Sequence, residues 1–137
     1  MKVKFQYWTS GALNTKGELT KRPMIKVAIK FLSGKKVEPL ALIDSGADQT
    51  MMNIFYAKEL GIDLTNAPVR NMNGIVGGQA SYVADVQLDL PELNEKVTVP
   101  ACFIDSPNVN ILIGQEGFFD RFRIKFEKDH NAFEIDK

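Results

Sequence analysis

Ala41-Leu42-Ile43-Asp44-Ser45-Gly46-Ala47-Asp48-Gln49-Thr50 decides how this chain is read. An apolar run delivers a carboxylate straight into a Ser-Gly turn. An ionised carboxylate at a strand end rich in Leu and Ile is poorly hydrated, and it costs free energy unless something holds its charge. Sequences keep carboxylates in such places mostly for chemistry. The plain alternative is a structural turn, since Asp, Ser and Gly are ordinary turn residues.

A carboxylate can activate water by taking its proton. Peptide hydrolysis also needs an acid for the carbonyl oxygen and the leaving amine. Two carboxylates sharing one proton supply both roles, because like charges that close cannot both ionise, and the pair titrates as a unit. The nearest second match is Ile104-Asp105-Ser106-Pro107. Proline stands there in place of the glycine; it has no N–H to offer a carboxylate and cannot adopt glycine conformations. Asp105 is therefore rejected as the partner and read as a loop residue. If the chemistry requires two copies, the second must come from another chain, and a two-fold axis would set Asp44 beside its own symmetry mate.

Most of the sequence reads as strand. A first strand is expected at Lys2 to Trp8, then a polar surface loop from Thr9 to Pro23. Met24 to Leu32 alternates, with Ile25, Val27 and Ile29 on one face. Ser33 to Lys36 is a hairpin turn and Val37 to Ile43 the return strand. Val83 to Leu90, Val97 to Ile104 and Arg121 to Glu127 alternate as well, the last with Phe122, Ile124 and Phe126 inward. Asp129 to Asn131 turns into a closing strand at Ala132 to Ile135. Two short helices are expected. One runs from Asn53, as N-cap, to Leu60, with Gly61 as its C-terminal glycine; the other covers Gln115 to Asp120. Regular strands with few helices predict a closed or nearly closed β structure.

These segments together resemble the retropepsin-like aspartic proteases. Ala41 to Thr50 is similar to their active-site segment, and Asn73-Gly74-Ile75-Val76-Gly77-Gly78-Gln79 to the tip of their flap hairpin. Asn110-Ile111-Leu112-Ile113-Gly114 is similar to the late strand that passes the active-site loop. Gly117 to Phe122 is similar to the helix-and-strand ending of cellular and prokaryotic members. The likeness spans roughly residues 24 to 135, with 1–23 an N-terminal strand and loop of the same single domain. It implies an all-β fold, a small closed acid-protease barrel with one or two short helices, completed as a homodimer. It implies an aspartic endopeptidase acting on polypeptide, with Asp44 as the catalytic aspartate. Ser45 would support the dyad across the dimer and Gly46 would bind substrate backbone. Ala47, Asp48 and Ile113 would lie along the substrate groove, although the Ile111 to Ile113 strand is buried scaffold on any reading. Gly74, Ile75, Val76, Gly77 and Gly78 would close over the peptide. No metal or cofactor is implied. The alternative is a catalytically quiescent module of the same fold that binds peptides or serves assembly. One position departs from the retroviral pattern: Gln115 stands where an Arg or Lys pairs with the aspartate at the place of Asp48.

Composition agrees with a single globular domain. The chain has 137 residues, 45% hydrophobic and 25% charged, enough for one core. Lys+Arg and Asp+Glu are 17 each, so no basic surface for nucleic acid is expected. The single cysteine, Cys102, fits a reducing compartment and is expected to be unreactive. The lone His130 sits in an expected surface turn and is not a metal ligand. Neither a signal peptide nor a membrane span is read, and the expected location is the cytoplasm.

Overall fold

The structure, a computed structural model, describes residues 1–71 and 80–137. Gly74, Ile75, Val76, Gly77 and Gly78, read above as a flap, lie outside the described residues. In chain order the strands are β1 (Lys2–Gln6), β2 (Trp8–Leu13), β3 (Leu19–Arg22), β4 (Met24–Lys26), β5 (Ala28–Lys30), β6 (Lys36–Val37), β7 (Leu40–Ile43) and β8 (Thr50–Asn53). After helix α1 (Phe55–Glu59) follow β9 (Val69–Asn71), β10 (Ala80–Leu90), β11 (Glu95–Ile104), β12 (Ile111–Ile113), β13 (Arg123–Glu127) and β14 (Ala132–Asp136).

The main sheet runs β4-β7-β12-β8-β11-β10-β5-β6, with β9 also on β10. Its centre is a crossing. β12, late in the chain, lies between β7 and β8, parallel to the first and antiparallel to the second. The loop 44–49 must therefore pass around the end of β12. A second sheet, β1-β14-β13, joins the two ends of the chain, with Phe5 opposite Phe133 and Phe133 opposite Phe126. One apolar core lies between these layers and includes Ile25, Val27, Ile29, Leu88, Phe103, Phe118 and Phe133.

The alternation of Met24 to Leu32 holds through a bend. Ile25, Val27 and Ile29 are all buried. Yet β4 pairs with β7 while β5 pairs with β6 and β10, and at the break the Val27 N–H donates to the Pro39 carbonyl at 3.2 Å. One run thus joins two distant parts of the sheet and curls it. The return strand is likewise divided at Pro39, which has no N–H for the ladder. Residues 9–23 are a correction: most of the stretch read as a loop is a β2–β3 hairpin. It is exposed on both faces, so no alternation marks it in the sequence. Phe126 is a second correction. It shares the row of Phe133, at 6.4 Å between ring centroids, but β13 is a sheet edge and the side chain stays 38% exposed.

Helix α1 begins later than expected. Asn53 ends β8, although its Oδ1 still accepts the Phe55 N–H at 3.0 Å. The C-terminus follows the expectation. Gly61 has a φ of 70°, its N–H donates to the Lys58 carbonyl, and the Ile62 N–H donates to the Ala57 carbonyl. This pair of bonds closes a helix through a left-handed glycine.

Asp89 on β10 generates a test of stability. Burial pushes its carboxyl upward, but the Lys30 ammonium at 2.7 Å and the Gln87 amide hold it below its ordinary 3.8. A carboxyl lowered in the folded state stabilises above its unfolded value and loses that contribution as pH falls through the folded one. Urea midpoints taken between about pH 2 and pH 6 should fall less steeply on the acid side for Asp89→Asn than for the parent. Parallel acid limbs would contradict the linkage.

Candidate active site

Asp44 leaves the end of β7 with its backbone tied to β12. Its N–H donates to the Ile113 carbonyl at 2.9 Å. The Ala47 N–H returns to the Asp44 carbonyl at 3.2 Å, which closes a tight turn. Within the turn the Gly46 N–H donates to Asp44 Oδ1 at 2.9 Å. The carboxylate is half-buried, while Ser45, Gly46 and Asp48 are exposed. The side chain is thus held by a backbone donor and still faces an accessible edge.

Below the turn, Gly114 follows β12 at very close range. A Cβ there would lie 2.6 Å from the Ala47 carbonyl oxygen and closer still to that of Gln49. Its φ of −103° is open to any residue, so space, not backbone conformation, demands glycine. The contact is then stitched by hydrogen bonds. The Gly114 N–H donates to Thr50 Oγ1 at 3.3 Å, the Gln115 N–H to the Ala47 carbonyl at 2.8 Å and the Glu116 N–H to the Asp48 carbonyl at 2.9 Å. Thr50 is fully buried, and its role was missed from the sequence. The available signal was a hydroxyl set at the head of the apolar Met51-Met52 pair.

Gln115 has a different partner from the basic residue of the retroviral pattern. Its Nε2 donates to the Ser45 carbonyl at 2.7 Å, not to a carboxylate. Asp48 makes no ion pair among the described residues. Ile113, expected along the substrate groove, is fully buried in the core, and it reaches the site through its carbonyl. Ala47 is also buried, packed with Met51, Cys102, Ile104 and Val109 in a small cluster beneath the turn. Burial pushes the Cys102 thiol above its ordinary value, which keeps it from nucleophilic use. Asp105 is exposed in the loop after β11.

A cleft of about 580 Å³ lies elsewhere, among Trp8, Lys26, Leu40, Asp89 and Lys96, and none of Asp44 to Asp48 lines it.

Comparison with solved structures places this architecture. A retropepsin-like aspartic protease from Rickettsia conorii superposes with a TM-score of 0.63 at 15% identity, over 98% of this chain and 91% of that one. Inhibitor-bound EIAV protease gives 0.55 at 18% identity, over 69% and 83%. The retroviral protease-like domain of Ddi1 from Leishmania major gives 0.51 at 20% identity, over 83% and 89%. No sequence-family profile and no curated protein matches the chain. The chain has the small all-β retropepsin-like fold.

The close passage at Gly114 is testable. Gly114→Ala forces a methyl group against backbone carbonyls that cannot give way without moving the 44–49 loop. We expect a loss of about 3 kcal/mol or more of unfolding free energy in urea. Gly11→Ala, with nothing within 4 Å of the added Cβ, should stay within about 0.5 kcal/mol of the parent. Equal midpoints for the two variants would contradict the crossing geometry.

Proposed function

We propose that this protein is an aspartic endopeptidase that assembles its catalytic pair from two copies of Asp44 across a homodimer. The observation that carries the reading is the half-buried Asp44 carboxylate, held by the Gly46 N–H in a turn that the β12 crossing pins in place. The retropepsin-like fold supports it.

In the proposed dimer the two carboxylates share one proton and hold a water between them. The ionised carboxylate takes a proton from the water as its oxygen bonds the scissile carbonyl carbon. The protonated one gives its proton to the carbonyl oxygen. The resulting gem-diol collapses: the C–N bond breaks, the nitrogen receives a proton from the dyad, and a diol hydroxyl returns one to it. No covalent enzyme intermediate forms. Ser45 braces the pair, the Gly46 carbonyl binds the substrate backbone, Asp48 lines the groove, and Gly74 to Gly78 close over the peptide, roles that rest on the sequence resemblance. The substrate is an extended polypeptide, whose backbone such a groove pairs as an added strand.

Incubation with an unfolded protein, with new termini identified by mass spectrometry, tests this. Asp44→Asn should lower turnover at least about 1,000-fold, the scale expected for loss of acid–base catalysis, while sedimentation shows the same dimer as the parent. Activity should also decline as pH rises far enough to strip the shared proton, since the acid is then gone. Undiminished cleavage by Asp44→Asn would refute the assignment.

A further inference from the structure

We infer that Gln115 is a positioning residue for the Asp44 carboxylate, acting through the Ser45–Gly46 peptide unit; this rests on the catalytic reading of Asp44 above. That peptide unit is gripped at both ends. Its carbonyl, belonging to Ser45, accepts from Gln115 Nε2 at 2.7 Å. Its N–H, belonging to Gly46, donates to Asp44 Oδ1 at 2.9 Å. A trans peptide is planar, with its C=O and N–H pointing in opposite directions, so fixing the oxygen fixes the line of the N–H. A donor at the oxygen also polarises the amide and strengthens its N–H toward the carboxylate.

The plane has little else to hold it. Ser45 and Gly46 are exposed, and glycine rotates freely about its backbone bonds. A flipped Ser45–Gly46 peptide would turn a carbonyl oxygen toward the carboxylate and replace attraction with repulsion. Gln115 opposes that flip from a fixed base. Its own N–H is bound to the Ala47 carbonyl, Gly114 before it is wedged beneath the loop, and the Glu116 N–H after it is bound to the Asp48 carbonyl. The side chain is exposed, and among the described residues this directed bond is the one it makes.

Donor chemistry separates this role from a packing role. Gln115→Glu keeps the size and removes the donor; Gln115→Lys changes the shape and keeps one. In the full-length protein, with an unfolded protein as substrate, Gln115→Ala and Gln115→Glu should lower kcat about tenfold with KM within about twofold, the scale of one lost hydrogen bond. Gln115→Lys should stay within about twofold of the parent in kcat. In the nuclear magnetic resonance spectrum the Gly46 amide proton should move upfield in Gln115→Ala and Gln115→Glu, and exchange with solvent faster, but not in Gln115→Lys. An unmoved Gly46 amide in Gln115→Ala, or full kcat in Gln115→Glu, would overturn the inference. The amide measurement needs no turnover, so an inactive parent would sink the catalytic reading while this one is still decided by the spectrum.

Discussion

Everything near the site depends on how closely Gly114 passes beneath the 44–49 loop. There is no room for a Cβ between that residue and the carbonyls of Ala47 and Gln49. The absence of a side chain lets β12 slide between β7 and β8, where its backbone can serve both strands. Once there, the following N–H groups of Gln115 and Glu116 meet the Ala47 and Asp48 carbonyls, and Thr50 Oγ1 accepts the N–H of Gly114. A loop that would otherwise expose its carbonyls has several of them bound from one side. Buried backbone polar groups are costly when unpaired, and here the crossing strand supplies the partners.

The anchoring of this turn bears on the proposed chemistry. Asp44 is anchored through its N–H to Ile113 and its carboxylate is held by Gly46, so both backbone and side chain are referenced to the sheet. Catalytic groups work when they are held before the substrate arrives, because reorganisation then costs nothing during reaction. The small cluster of Ala47, Met51, Cys102, Ile104 and Val109 supports the turn from below. The exposed side, formed by Ser45, Gly46 and Asp48, is left accessible to solvent in a single chain.

Much of this was legible in the sequence, and the failures have physical causes. Alternation located Ile25, Val27 and Ile29 in the core because burial on one face leaves a period of two. It could not show that the run bends at Val27, since a change of pairing partner leaves the period intact. The β2–β3 hairpin carries no alternation because both of its faces are wet. The Asp-Ser-Gly turn and the late glycine were both found, but the reason for the glycine is a contact 64 or more residues away in the chain, visible only in three dimensions. Thr50 escaped for the same reason: its hydroxyl matters because of Gly114, not because of its sequence neighbours.

Gln115 departs from the retroviral pattern, and its partner could not be read from that departure. In the retroviral pattern a longer basic side chain at this place pairs with the aspartate at the position of Asp48. Here the Gln115 backbone is already fixed to the Ala47 carbonyl, and the amide reaches the Ser45 carbonyl instead. A neutral donor suits a neutral carbonyl: it brings no net charge beside a carboxylate that, in the proposed dimer, must share a single proton with its mate. The amide at this position thus has one task, holding the turn, and leaves the charge of the proposed pair to the two carboxylates themselves.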